Sequence, residues 1–268
     1  MDLTEFYGFQ LSEKMQKLEI TSEKILESYI NKIKKINPKL NAIVSLKDTS
    51  LLFENCKKID ASRKKGKKLK PLSGLPIAIK DLEETKDIIT TYGSPIYSHY
   101  KPKNDSPMVS NLRKSGLLII GKTNTPEFGV GGQTFNEVFG TTSNPFNFKK
   151  TAGGSSGGAA AAVQSKLIPF ADGSDMMGSL RTPSSFCETF SIRPTPGLVP
   201  SNSTLSYKMP RISTNGVIAR HPMDLALMLD GCIGKKACFE KLIRNKFSLR
   251  KVTACIPENY LENISGYH

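Results

Sequence analysis

The sequence predicts an α/β fold in which a mixed or mostly parallel sheet is flanked by helices. Apolar residues at helical spacing alternate along the chain with short, continuous apolar runs that are typical of buried strands. A length of 268 residues with 38% hydrophobic residues is sufficient for a sizeable core, and we expect a single domain over residues 1–268. The sequence contains no run of 18 or more apolar residues and therefore predicts no membrane span.

The first quarter of the chain predicts two helices and a short strand. Residues 22–36 place apolar side chains at helical spacing, with Thr21 or Ser22 as the N-cap and Asn37-Pro38 as the stop. Residues 41–44 are predicted to form a short strand. A second helix spans about 49–62, with one apolar face made of Leu51, Leu52, Cys56 and Ile59.

The next segment contains two buried strands. Residues 75–80 are apolar up to Lys80, which is the arrangement by which a buried strand delivers a polar side chain at its carboxyl end. A helix at 107–115 precedes the strand 116–121. Residues 122–126 and the Gly-, Asn- and Phe-rich residues 129–150 are predicted loops, the second near a pocket.

The remaining segments continue the alternation. We predict a helix at 159–163, a strand at 167–171, an irregular proline-rich segment at 193–200 and a helix at 221–229. A strand-like run follows at 252–256.

Charge and cysteine content limit the functional classes. The formal net charge is +14, but lysine is spread over the chain and only residues 63–70 form a dense cluster, for which a solvated loop is the simpler interpretation. The five cysteines are scattered and the three histidines are dispersed. This pattern favours a reducing cytoplasm over a disulfide framework, and it predicts no metal site.

The stretch from Thr151 to Arg193 concentrates glycine and serine and is the predicted active-site floor. The run Gly153-Gly-Ser-Ser-Gly-Gly158 does not match a P-loop, because no G-K-[ST] follows it, nor the G-x-G-x-x-G dinucleotide motif. A purely structural role for these glycines in tight turns remains an alternative.

Acyl transfer explains more of this stretch. A serine hydroxyl needs a base, and with so few histidines a lysine that is kept neutral by burial is the candidate. Lys80 has a suitable position, although an ordinary strand-end lysine that reaches solvent is the alternative. Glycines before Ser179 leave backbone N–H groups for an oxyanion hole. Two S-x-x-K matches, at Ser62 and Ser248, lie in highly charged segments without the accompanying motifs and are attributed to chance.

These residues resemble the amidase signature family. The matching motifs extend over about residues 20–230, and the two serines at 155 and 179 are separated by 24 residues, as the family signature requires. The motifs are Leu75-Pro-Ile-Ala-Ile-Lys80-Asp81, Gly121-Lys-Thr-Asn124, Gly153–Gly158, Asp175…Gly178-Ser179-Leu-Arg181-Thr-Pro183, Ile192-Arg-Pro-Thr195 and Gly216…Ala219-Arg220.

The resemblance implies an amidase-signature-like mixed sheet and a Ser–cis-Ser–Lys triad without metal or organic cofactor. In it Ser179 would be the nucleophile, Ser155 would relay the proton from a cis peptide, and Lys80 would be the neutral base. The remaining roles would fall to backbone amides for the oxyanion and to side chains that support the nucleophile. The amides are those of Met176, Met177 and Gly178, and the supporting residues are Ser156, Asp175 and Arg181.

The chain departs from the family pattern in three respects. Met176-Met177 replaces the usual Thr-Gly before Gly178-Ser179, and we expect a methionine that lines the acyl pocket beside an intact oxyanion hole. Glu188 and Ser191 occupy positions where glycine is common. The chain is also much shorter than family members usually are, so we expect a C-terminal part to be missing and apolar surface to be exposed.

The sequence thus predicts a cytoplasmic amidase that hydrolyses the C–N bond of a small-molecule amide. The A subunit of a glutamyl-tRNA amidotransferase, which would release ammonia from glutamine, is the closest alternative. A catalytically inactive fragment and, less favoured, a nucleic-acid-binding module are others. Partners would be a second copy of the chain or the missing C-terminal half.

Overall fold

The computed structural model describes residues 2–201 and 212–234, and within them helices and strands alternate. The α-helices are α1 (Gly8–Gln16), α2 (Ser22–Leu40), α3 (Thr49–Lys64), α4 (Pro107–Lys114), α5 (Gly157–Gln164), α6 (Arg181–Phe186) and α7 (Pro222–Ile233). The strands are β1 (Ile43–Val44), β2 (Pro76–Lys80), β3 (Leu118–Thr123), β4 (Phe135–Asn136), β5 (Gly140–Thr141), β6 (Phe170–Asp175), β7 (Phe190–Ile192) and β8 (Thr214–Ala219).

The strands pair in three groups of mixed direction, which confirms the predicted mixed α/β fold. β2 and β3 are parallel, and the short β1 is antiparallel to β3 in the order β1-β3-β2. The second group has the order β6-β8-β7 and is antiparallel throughout. β4 and β5 form a small hairpin. β2 lies beside β6, so the carboxyl end of β2 is close to the middle of β6. A mostly parallel sheet is therefore wrong for the described residues.

Helices cover both faces of these strands, as the alternation of side chains along β2 shows. Ile77 and Ile79 belong to one apolar cluster, together with residues of α1, α4 and α7. Ala78 belongs to a second cluster, which contains residues of α3 and α5. Successive side chains of a strand point to opposite faces, so Lys80 lies on the same face as Ala78 and α5.

Helix α2 extends beyond its predicted end. It begins at the N-cap Thr21, whose side chain accepts a hydrogen bond from the Lys24 amide, but it continues through Pro38 to Leu40. Leu40 is fully buried, and the Asn37 side chain accepts hydrogen bonds from the amides of Ala42 and Ile43. Burial and this side-chain cap therefore outweigh the helix-breaking effect of the proline.

The structure corrects further sequence predictions. Leu51, predicted to lie on the apolar face of α3, is 49% exposed, whereas Leu52 and Cys56 of the same helix are buried. Residues 122–126 are not entirely a loop, since β3 continues to Thr123 and Lys122 is fully buried in it. The strand predicted at 167–171 lies further along, at β6, because residues 167–169 precede the ladder to β8.

Some predictions lie outside the described residues. These are the strand at 252–256 and the S-x-x-K match at Ser248. Within the described ranges, no helix combines the length and the apolar composition that a membrane crossing requires.

Candidate active site

Strand β2 carries Lys80 into the interior of the protein. The side chain is 1% exposed, and its amide donates to both carboxylate oxygens of Asp172 on β6, at 3.0 and 3.3 Å. The strand residues before Lys80 are apolar and buried as well, so the amine lies in a buried environment. The alternative of a solvent-exposed strand-end lysine is therefore excluded by the geometry.

The Gly-Ser run forms a tight loop that ends at the N-terminus of α5. The peptide bond between Gly154 and Ser155 is cis, as the family resemblance implies for Ser155. The Thr134 hydroxyl donates to the carbonyl of Gly153 at 2.8 Å and accepts from the amide of Gly157 at 3.0 Å, which ties the loop to the segment 129–150. A Cβ on Gly158 would lie 2.4 Å from the backbone nitrogen of Asn124, so this close approach requires glycine.

The Lys80 amine lies among three serine hydroxyls. Its Nζ is 2.7 Å from Ser155 Oγ, 2.8 Å from Ser156 Oγ and 3.0 Å from Ser174 Oγ. Ser155 is 2% exposed and Ser156 is fully buried. Hydroxyls can donate as well as accept, so this arrangement accommodates the amine with or without its third proton.

Burial makes the neutral form of this amine accessible near neutral pH. Desolvation lowers the pKa of Lys80 to about 7, although the carboxylates of Asp172, Glu83 and Asp175 act in the opposite direction. The neutral amine, which is the state that a general base needs, is therefore accessible near neutral pH.

Ser179 follows β6 and lies in the same cavity as Ser155. It is half-buried, and its carbonyl accepts a hydrogen bond from the Ser156 amide at 3.2 Å. Among the hydrogen bonds of the described residues there is none between the Ser155 and Ser179 hydroxyls. The structure thus joins Lys80 to Ser155 directly, and Ser155 and Ser179 both line one cavity of about 890 Å³.

Asp175 and Arg181 shape the turn that carries Ser179. Asp175 is fully buried and accepts hydrogen bonds from the amides of Gly178 and Leu180 and from two nitrogens of Arg181, both at 3.0 Å. Burial by itself raises the pKa of Asp175, but these hydrogen bonds hold it at about 2. The carboxylate is therefore ionised at any ordinary pH and fixes the backbone on both sides of Ser179.

The same turn changes the prediction for the oxyanion donors. The Gly178 amide donates to Asp175 Oδ1 at 2.8 Å and is therefore already engaged, because the carboxylate closes the turn around it. Within the described ranges the amides of Met176, Met177 and Ser179 donate to no other group. These three amides are thus better candidates for binding an oxyanion than the amide of Gly178.

The cavity wall is uncharged where it is described, and it combines apolar side chains with hydroxyl groups and the side-chain amide of Asn215. The side chains of Met176 and Met177 line it, together with Leu82, Phe128 and Val130. Met177 is 87% exposed at its edge. No Asp, Glu, Lys, Arg or His is among the described residues that line the cavity.

Glu188 is not among the described residues that line the cavity. Compared with a glycine it strains the backbone, but it does not bury a charge. It is exposed and has a φ of +52°, in the left-handed region that glycine adopts without strain. Ser191, the other replaced glycine, is half-buried in β7.

Replacing Glu188 by glycine is expected to raise the free energy of unfolding by up to about 1 kcal/mol, because the left-handed conformation costs a residue with a Cβ about that amount. The matched control is Ser185→Gly in α6, where a helical position loses roughly 0.5 kcal/mol. Urea unfolding of both variants checks the expectation, and equal losses in the two would contradict it.

Two residues that complete the centre were not predicted from the sequence, and a further buried lysine lies nearby. Ser174 is the third hydroxyl on the Lys80 amine, and Asp172 contacts the Lys80 backbone. Lys122 is buried nearby, where its Nζ is 2.9 Å from the Thr85 hydroxyl. Asp172 carried the same signal that identified Lys80, namely a charged residue at the end of an apolar run.

Comparison with known proteins places this geometry in context. A family model described as Amidase matches residues 24–244. Among curated proteins, the chain is 36% identical over 230 residues to the glutamyl-tRNA(Gln) amidotransferase A subunit of Natranaerobius thermophilus, and the match covers 86% of this chain and 46% of the relative. It is 39% identical over 220 residues to the protein of the same name from Legionella pneumophila strain Philadelphia 1, with 82% and 45% covered. The chain spans about half the length of the curated relatives it matches.

Solved structures of amidases are also similar to this chain. A bacterial aryl acylamidase described as belonging to the amidase signature enzymes superposes with a TM-score of 0.78 at 30% identity, over 85% of this chain and 47% of that one. The substrate complex of 6-aminohexanoate cyclic dimer hydrolase superposes with a TM-score of 0.75 at 31% identity, over 87% and 47%.

Proposed function

Because this chain belongs to the amidase signature family, we propose that it hydrolyses a C–N amide bond through an acyl-enzyme on Ser179. The observation that carries the proposal is the buried Lys80 amine, 2.7 Å from the Ser155 hydroxyl in the cavity that also contains Ser179. An amine in this environment can accept a proton near neutral pH, which an exposed lysine cannot do.

The proposed first half-reaction forms the acyl-enzyme. Ser179 Oγ attacks the amide carbonyl as its proton passes to Ser155, and Ser155 passes its own proton to the neutral Lys80 amine. The C–O bond forms, and the negative charge on the carbonyl oxygen is bound by backbone amides among those of Met176, Met177 and Ser179. The proton then returns through Ser155 to the leaving nitrogen as the C–N bond breaks. In the second half-reaction, water attacks the acyl carbon as its proton passes through Ser155 to the neutral Lys80 amine. The ester C–O bond then breaks, the acid leaves, and the proton returns through Ser155 to Ser179 Oγ.

This mechanism requires the Ser179 hydroxyl to reach Ser155 when substrate is bound. Catalytic hydrogen bonds are often long in the absence of substrate and shorten in the complex. Asp175 holds the turn around Ser179 at both Gly178 and Leu180, which restricts movement of the backbone there.

The uncharged cavity lining supports an amide with an apolar acyl group rather than free glutamine. Glutamine carries an α-ammonium and an α-carboxylate, and burying such charges without partners is costly. The described residues of the cavity wall offer methionine, phenylalanine, leucine and valine side chains, and its polar serine, threonine and asparagine side chains are all neutral.

The experiment is a comparison of acyl p-nitroanilides of increasing acyl size with glutamine. We expect release of p-nitroaniline from the larger acyl groups and little ammonia from glutamine. Absence of hydrolysis from every amide in a folded sample would contradict the proposal and favour an inactive fragment.

The second candidate is a glutaminase that supplies ammonia to glutamyl-tRNA(Gln). It is favoured by the names of the curated relatives, which are glutamyl-tRNA(Gln) amidotransferase A subunits at 36 to 39% identity. Ammonia release from glutamine that depends on added tRNA together with a B subunit would establish this function in place of the first.

Truncation of Met177 tests the acyl pocket. In Met177→Gly we expect KM for a large apolar acyl amide to rise about 3- to 10-fold, because apolar contact is lost, while kcat changes little since the amide of residue 177 is retained. The acetyl homologue of the same amide is the control and should be unaffected. A large rise in kcat in this variant would instead show that the methionine impairs the oxyanion hole.

A further inference from the structure

Asp172 is a buried carboxylate that the proposed mechanism does not use. It lies in the interior of β6 and is fully buried. Its two oxygens lie 3.0 and 3.3 Å from the backbone nitrogen of Lys80, and within the described ranges this amide is its hydrogen-bond donor. A carboxylate buried with one neutral donor is costly, so the fold tolerates it against a considerable desolvation penalty.

The position of this contact connects Asp172 to the base. It fixes the main chain of Lys80 at the last residue of β2, from which the side chain extends to the three serine hydroxyls. A buried negative charge next to this residue also favours a proton on the amine.

We propose that Asp172 is a positioning residue for the reaction, which anchors the backbone of Lys80 and sets, by its charge, the pH at which the Lys80 amine becomes a base. The inference rests on the proposed function only in that it assigns Lys80 as the base. Asp172 is not among the described residues that line the cavity, and it acts through Lys80.

Several other ionisable groups act on this pair or on the neighbouring Lys122 and have to be considered with it. They are Asp81 and Glu83 after β2, Lys122 on β3, Asp175 on β6, Asp105 before α4 and Cys232 on α7. Glu83 and Asp175 favour a proton on Lys80 in the same sense as Asp172 does. Lys122 favours the ionised form of Asp172.

The sign of the effect follows from these contributions. Burial lowers the pKa of Lys80 to about 7, and Asp172 is the largest of the charges that oppose this. Burial likewise raises the pKa of Asp172 to about 7, so the two groups titrate together. If the negative charge at position 172 is removed while the oxygen is kept, less electrostatic stabilisation opposes the effect of burial on the Lys80 amine. The pKa of Lys80 then falls further, and the amine loses its proton at a lower pH.

The test compares Asp172→Asn with the wild-type protein. In the wild type, kcat/KM should rise with pH through a limb centred near 7, because only the neutral amine is active. In the variant, which retains an oxygen for the Lys80 amide, the limb should move to lower pH by about one pH unit. Asp172→Leu, which loses the oxygen as well, should lower kcat at least about 10-fold at every pH.

The matched control is Asp224→Asn. Asp224 is also fully buried, and it accepts hydrogen bonds from the amides of Gly8 and Phe9, away from the cavity. This variant should leave the pH limb unchanged. An Asp172→Asn profile that coincides with that of the wild type, or a limb that moves to higher pH, would overturn the proposal.

A second readout separates this proposal from the proposed function. The titration of Lys80 can be followed by NMR in protein labelled with [ε-¹³C]lysine, with the signal assigned by its loss in Lys80→Met. A midpoint that moves to lower pH in Asp172→Asn supports the proposal even if no amide is hydrolysed. An unchanged midpoint overturns it even if hydrolysis is observed.

Discussion

Alanine at position 179 is expected to reduce amide hydrolysis at least about 10⁴-fold, to the background of the assay. The reason is that the proposed mechanism assigns the attack to Ser179 Oγ, while Ser155, at 2.7 Å from the Lys80 amine, relays the proton. The measurement is the initial rate of p-nitroanilide hydrolysis under single-turnover and steady-state conditions.

The control for this variant is Ser185→Ala. Ser185 is an exposed serine in α6, six positions after the proposed nucleophile, and should be dispensable. Retention of more than a few per cent of the activity in Ser179→Ala would mean that another hydroxyl is acylated.

Substitution of Lys80 by methionine is expected to lower kcat by about 10²- to 10⁴-fold, which is the usual contribution of a general base. Methionine has a similar length and fills the same buried space, but it has no nitrogen to accept the proton from Ser155, at 2.7 Å from Nζ in the wild type. Because the side chain remains apolar in an interior site, we expect the fold to be retained, as circular dichroism would show.

A matched control exists at the other buried lysine. Lys122 is fully buried as well, but its Nζ is 2.9 Å from the Thr85 hydroxyl and contacts none of the three serines. Lys122→Met should therefore change kcat much less than Lys80→Met does. Equal losses in the two variants would indicate that both act through the stability of the protein and that Lys80 has no separate role.

The fold was predictable from the sequence where a single face or run decided it. The spacing of the apolar side chains predicts the buried face of α2 and the apolar strand β2. The extension of α2 past Pro38 could not be predicted, because it depends on the burial of Leu40 and on the Asn37 cap, which are tertiary features. The antiparallel partner of β6 was also not predictable from spacing, since β8 follows it by a long connection.

Some features of the candidate site were likewise predictable from the sequence, and others were not. The position of Lys80 at a strand end and the family motifs are enough to predict that it lies near the serines. The role of Gly178 required geometry, because only the structure shows that its amide already donates to Asp175. Likewise, nothing in the sequence indicates that the carboxylate of Asp172 meets the backbone of Lys80, since the two are 92 residues apart.

The most direct measurement for the central claim is the mapping of a fluorophosphonate adduct on the wild-type chain. If the buried amine activates the hydroxyl, one adduct should form, and peptide mass spectrometry should locate it on Ser179. Its rate of formation should fall as the pH is lowered through 7, where Lys80 gains a proton. A folded protein that forms no adduct, or that carries it on another residue, would contradict the account.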